Sequence, residues 1–92
     1  MSFAEQDWEL LQETINQTLD NAADGDSNQW SNAETGNSGN VQVLDTRKTD
    51  TGTCRNLVIS NSSKPENGVT RLNYCRQTDG LWKIDTRARQ QK

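Results

Sequence analysis

Histidine is absent from this chain of 92 residues, and with it go the commonest general base and the commonest zinc ligand. Phenylalanine, tyrosine and proline occur once each, and cysteine twice. Two cysteines with neither a histidine nor a Cys-x-x-Cys spacing make no zinc site and no thioredoxin-type redox pair. Apolar residues are only 29% of the composition, so one thin core is all the chain can build. No apolar stretch approaches the ~20 residues that cross a bilayer, and the first residues do not read as a signal peptide. Lysine and arginine are missing before Arg47, where nine carboxylates stand, while the rest of the chain holds all ten basic residues and four acids. The two parts carry formal charges of −9 and +6. Either an acidic element lies against a basic sheet within one domain, or a basic face meets an anionic partner. The first is preferred, because an isolated acidic helix repels itself. Dispersed cations and a pI near 4.8 also speak against nucleic acid as a partner.

The segment SFAEQDWELLQETINQTLDNAAD predicts a helix over about 3–24. Ser2 and Glu5 stand at capping-box spacing, and acids at 5, 7 and 9 suit the positive helix end. Trp8, Leu11, Ile15, Leu19 and Ala22 recur at three and four and form one apolar stripe, the face expected to lie on a core. GDSNQWSNAETGNSGNVQV is dense in Gly, Asn, Ser and Asp and reads as successive turns around a short segment at Trp30. Four strands are predicted beyond it, at about 41–46, 53–60, 69–77 and 81–85, followed by a tail, 86–92. DTRKTDTG reads as a polar loop, and NSSKPENG as a long hairpin turn that Pro65 keeps out of any ladder. The fold class expected is therefore α+β over a single domain, 1–92, with one N-terminal helix packed on a four-stranded antiparallel sheet.

Cys54 and Cys75 are read as a disulfide, because closing a loop of that length contributes roughly 3 kcal/mol and so thin a core has few other sources of stability. The alternative is two unrelated thiols in a reducing cytosol; the bridge instead implies an oxidising compartment. If Cys54 faces Cys75 across a hairpin, Arg55, Leu57 and Ile59 share a face with Leu72, Tyr74 and Arg76, with the sulfurs behind. A three-residue loop at Thr78-Asp79-Gly80 would then bring Trp82 and Ile84 onto the same face, and this register is preferred because a one-residue slip would scatter the core. Arg55 and Arg76 would lie at the edge of that face, bracing the helix, stacking on Trp82, or forming a paired anion site.

The residues QWSNAETGNSGNVQV, TCRNLVI and YCRQTDGLWKI, in this order after a helix, resemble the C-terminal domain of the bacterial outer-membrane surface-antigen family typified by the rickettsial seventeen-kilodalton antigen. The positions that match are Trp30, Asn32, Gly36, Asn37, Gly39, Cys54, Arg55, Cys75, Arg76, Gln77, Asp79, Gly80 and Trp82. Ala33 departs from the family's proline. The lipidated cysteine and glycine-rich segment that precede the domain in the family do not occur in this sequence. The resemblance implies an envelope protein in the periplasm or at the cell surface, associated with the outer membrane and held there by a lipid anchor upstream of this chain. It implies no reaction.

Other motifs carry little. Asp24, Asp26 and Asn28 alternate as in a calcium loop, but the glycine and closing glutamate are not in place. Gly36-Asn37-Ser38-Gly39 is not followed by the lysine of a phosphate loop. The expectation is a non-catalytic envelope module, monomeric as an isolated domain and needing no cofactor, that contacts another envelope component. Its candidate contact surface is Trp30, Asn32, Gly36, Asn37 and Gly39, since binding resides on exposed loops. The competing class is a small secreted or periplasmic inhibitor or immunity-type binding protein. A third is an enzyme using Asp or Glu with Arg55 and Arg76.

Overall fold

The structure is a computed structural model and describes residues 3–50, 52–63 and 65–85. The helix α1 spans Glu5–Asn21. It is shorter than the expected 3–24, and its first turn is built differently. Ala4 is the N-cap and has no side-chain oxygen to offer; Asp7, at the third helical position, turns its carboxylate back to accept the Ala4 N–H at 2.8 Å. Half of a capping box therefore forms, two residues later than the Ser2–Glu5 pairing. Ser2 lies outside the described residues.

Leu11, Ile15 and Leu19 face the sheet as the spacing requires, but Trp8 does not: it is 57% exposed, its ring resting on Phe3 at 4.8 Å. The buried stripe instead includes Asp7, Thr14 and Thr18. The two threonines can be buried because each hydroxyl donates to the carbonyl four residues back, Leu10 and Thr14 respectively.

The sheet has five antiparallel strands in the order β1-β2-β3-β4-β5, correcting the expected four: β1 Ser27–Ser31, β2 Ser38–Thr49, β3 Gly52–Ser63, β4 Glu66–Arg76 and β5 Trp82–Ile84. The strand missed in sequence, β1, is an edge with one buried side chain, Trp30, and owes its conformation to pairing with β2 from Ser27↔Gln42 to Ser31↔Ser38. Most of the described residues in the polar stretches read as loops are paired strand: β2 and β3 pair as far as Thr49↔Gly52, and β3 and β4 as far as Ser63↔Glu66, with Pro65 outside the ladder as expected. Asn and Ser serve in these strands because one sheet face has no helix upon it among the described residues and needs no apolar alternation.

The cysteine register is the expected one. Cys54 pairs with Cys75 and the two form a disulfide, while Arg55 lies opposite Tyr74 and Leu57 opposite Leu72. Ile84 opposes Tyr74 and Trp82 opposes Arg76, so the last loop is the three-residue one. Gly80 there takes φ +86°, which a side chain would resist. A bulge between Val43 and Asp45 leaves Leu44 unpaired and 40% exposed. The core is Leu11, Ile15 and Leu19 against Trp30, Val41, Val43, Leu57, Ile59 and Tyr74. Each such aliphatic side chain contributes about 1.5–3 kcal/mol on burial. The predicted tail, 86–92, lies outside the described residues.

Candidate functional site

Between β1 and β2 the chain makes a six-residue turn, 32–37, that folds onto itself. Asn32 N–H donates to the Asn37 carbonyl at 2.9 Å, and Gly36 N–H to the Asn32 carbonyl at 2.8 Å. The Asn32 side-chain oxygen accepts the Glu34 N–H, and the Thr35 hydroxyl accepts the Asn37 N–H. These bonds free the side-chain donors to point inward. Asn32 Nδ2 at 2.9 Å and Thr35 Oγ1 at 2.8 Å donate to Oδ1 of Asp7, and Asn37 Nδ2 donates to its Oδ2 at 2.8 Å.

With the Ala4 N–H, the Asp7 carboxylate accepts four hydrogen bonds and is fully buried. Burial alone would raise its pKa. The donors from Ala4, Asn37, Thr35 and Asn32 outweigh it and hold the group below its ordinary value of 3.8. The arrangement stabilises one protonation state, the anion, at the positive end of the helix.

Arg55 answers it at the other end. The Thr18 carbonyl accepts the Ala22 N–H at 3.1 Å, the carbonyls after it lack the next turn's N–H groups, and no basic residue stands in the final turn of the helix. The Arg55 guanidinium, reaching from β3, donates to the carbonyls of Thr18 at 3.2 Å, Leu19 at 2.7 Å and Ala22 at 2.5 Å. Its Nε donates to Thr46 Oγ1 at 2.9 Å, and Asp24 lies 3.5 Å away. One buried anion and one buried cation thus clamp the two ends of α1 to the sheet, each with the sign the helix dipole favours.

A third tie is exposed. Asp20 accepts from Trp82 Nε1 at 2.9 Å and pairs with Arg76 at 3.5 Å, while the Arg76 guanidinium stands 5.1 Å from the centre of the Trp82 ring. Tyr74, in the core beneath, has its phenol pKa pushed up by burial.

Gly39 completes the site. It lies opposite Trp30 on one side and Asn61 on the other, and a Cβ there would run into Trp30 Nε1 and come within 2.5 Å of Asn61 Oδ1 and 2.9 Å of the Ser60 carbonyl. Phe3 packs edge-on to the Trp30 ring at 5.4 Å.

Of the residues expected to form a contact surface, Trp30, Asn32 and Asn37 are buried, Gly39 is half-buried and Gly36 is exposed. The inward three line the helix and its carboxylate. Arg55 and Arg76 do not converge on one anion, since each meets a different acid of the helix end. Asp7, Thr35 and Asn61 were missed. The available signal was that position 7 lies four before Leu11, on the buried stripe, where an unpaired carboxylate requires neighbouring donors. Among the described residues, no three cysteines or carboxylates gather where they could hold a metal ion.

The fold and its ties define a small disulfide-linked α+β domain whose polar motif residues face inward to hold one helix. The chain belongs to the 17 kDa outer membrane surface antigen family, whose model matches residues 17–83. It is 33% identical over 81 residues to the 17 kDa surface antigen of Rickettsia prowazekii (strain Madrid E). Over 85 residues it is 34% identical to that of Rickettsia bellii (strain RML369-C) and 35% to that of Rickettsia felis (strain ATCC VR-1525 / URRWXCal2). Each alignment covers 87% of this chain and 51% of the relative, so the chain spans about half the length of these curated relatives. No solved structure gives a significant match.

Proposed function

We propose that this domain is a non-catalytic module of the cell envelope, lying in the periplasm or at the cell surface in association with the outer membrane. The carrying observation is the match of residues 17–83 to a family of outer-membrane surface antigens. A disulfide between Cys54 and Cys75 fits an oxidising compartment. Among the described residues no helix is long and apolar enough to cross a membrane. Attachment through a lipid anchor, which the resemblance to the family implies, is part of the proposal.

The chemistry of the buried charges supports a structural role. An acid–base catalyst needs a pKa near the working pH and a lone pair open to substrate. Asp7 has neither: four donors occupy it and favour its charged form. The Arg55 guanidinium is likewise engaged, on helix carbonyls.

The module contacts another envelope component through the end of the sheet where Trp30, Gly39 and the turn from Asn32 to Asn37 lie, the turn presenting Ala33, Glu34 and Gly36 outward. Crosslinking of the full-length protein in its own intact cells, with fractionation, tests this. Recovery of the disulfide form in the envelope fraction, joined to one envelope component, is the expected result. Recovery from the cytoplasm with both thiols free would refute it, and capture of a secreted hydrolase whose activity it blocks would favour an inhibitor.

A further inference from the structure

β4 is longer than the strand beside it. β5 pairs only with Tyr74, Cys75 and Arg76, whereas β4 begins at Glu66 and pairs with β3 along its whole length without a bulge. Two bonds show which way the backbone groups of β4 turn. Asp85 N–H donates to the Asn73 carbonyl and Gln77 N–H to the Leu81 carbonyl, each at 2.7 Å, so the odd-numbered residues aim their N–H and C=O away from β3. Asn67, Val69 and Arg71 therefore present three donors and three acceptors outward, and among the described residues nothing takes them.

A bare edge is ordinarily guarded by brevity, charge, proline or a bulge, because it accepts any strand that reaches it. The other edges of this sheet are guarded in that way: β1 is five residues long, and the free end of β2 carries Asp45, Arg47 and Lys48. β4 is not. From Asn67 to Arg71 every residue but Gly68 is exposed, Val69 to 69%, and Arg71 is the one charge in NGVTRL. Val69 and Arg71 share the face turned away from α1, while Leu72 lies on the helix side, diagonal to the exposed Ile84. Among the described residues the Arg71 guanidinium meets no acid.

Donors and acceptors repeating along a strand fit the backbone of another extended chain. Charge decides which chain. Carried past Asp85, the register of β5 would set Arg87 opposite Arg71, and a second copy joined β4 to β4 about Val69 would set Asn67 there; neither brings an acid. We infer that the outer edge of β4 docks an extended segment of a partner protein, added as a further strand antiparallel to β4, with an acidic side chain opposite Arg71 and aliphatic ones opposite Val69 and Leu72. This surface is separate from the contact proposed above and does not depend on it.

The test is two-dimensional NMR on the purified, oxidised domain with the synthetic peptide acetyl-TVETVTS-amide, whose glutamate falls opposite Arg71, and with its lysine counterpart, acetyl-TVKTVTS-amide. In the free domain the amides of Gly68, Thr70 and Leu72, bonded to β3, should resist hydrogen exchange, and those of Asn67, Val69 and Arg71 should exchange freely. The glutamate peptide should shift and protect the latter three with Kd of about 1 mM or tighter, and the lysine peptide should bind about threefold more weakly or worse. Arg71→Glu should reverse that order. Val69→Pro, tolerated because the strand N–H it removes points to solvent, should abolish binding of both peptides while the domain stays folded. The proposal is overturned if the glutamate peptide leaves these amides unmoved, if Arg71→Glu leaves the order of the peptides unchanged, or if the three amides are already protected in the free domain. Protection independent of concentration would mean that the chain's own residues fill the edge, and protection growing with concentration that a second copy does. None of these outcomes touches the envelope assignment, which fractionation tests separately.

Discussion

Asp7 shows how a residue disfavoured in a core becomes its organising centre. A buried carboxylate is tolerated only when donors replace its hydration, and here a helix N-terminus and three side chains of one turn supply them. Because its pKa is lowered on folding, Asp7 adds stability above the ordinary carboxylate value, and that stability is lost as pH falls through the lowered one. Asp7→Asn should therefore unfold more readily than the parent at neutral pH, and the difference should shrink as the pH drops below 3.8 in urea melts run across that range. An equal difference at every pH would mean that the carboxylate charge contributes nothing. Gly39 makes a separate case, since its missing Cβ is the room that Trp30 and Asn61 occupy. Gly39→Ala should cost roughly 1–3 kcal/mol by overpacking, measurable by denaturant melts, with the Trp30 fluorescence altered in the native state.

The helix and strands differ in how far residue pattern announces them. The period of α1 is visible because Leu11, Ile15 and Leu19 recur on one face; its start is not, because Ala4 caps without a polar side chain and Asp7 does the work usually shared with a Ser or Thr. The register of β3, β4 and β5 follows from the cysteine pair and the Asp79-Gly80 turn, two local constraints that leave little choice. β1 and the outer ends of β2, β3 and β4 escape because their Ser, Asn, Gln and Gly residues look like loop. The candidate site was legible as a set of residues and not as an arrangement: Trp30, Asn32, Asn37 and Gly39 stand out, but only the tertiary pairing shows that they turn toward Asp7 and Asn61. Arg55 is the clearest test at this scale. Lysine keeps the charge but cannot reach three carbonyls and a hydroxyl with one planar fork, so Arg55→Lys should cost about 1–3 kcal/mol. Hydrogen exchange should show the last turn of α1 opening before the first. Uniform exchange along the helix would remove Arg55 from the role of C-terminal clamp.

Across the molecule, the uneven charge of the sequence resolves into contacts between the acidic helix end and the sheet: Asp24 with Arg55, and Asp20 with Arg76 and Trp82. The Asp20–Arg76 pair is half-exposed on both sides and contributes at most about 1 kcal/mol. The larger whole-molecule term is the disulfide, which joins positions 21 apart on adjacent strands. Reduction should remove roughly 3 kcal/mol and lower Tm by roughly 12–24 °C for a domain of this size, read by calorimetry with and without reductant. A melting curve unchanged by reductant would deny the bridge its place in a core this small.

Everything in the site turns on Asp7 being an anion held by its neighbours, and the carboxyl carbon of that one side chain reports it. Followed by carbon-13 NMR from neutral pH into acid, the Asp7 resonance should titrate with a midpoint below 3.8, where an ordinary aspartate is half protonated. A midpoint at or above that value in the folded domain would contradict the clamp.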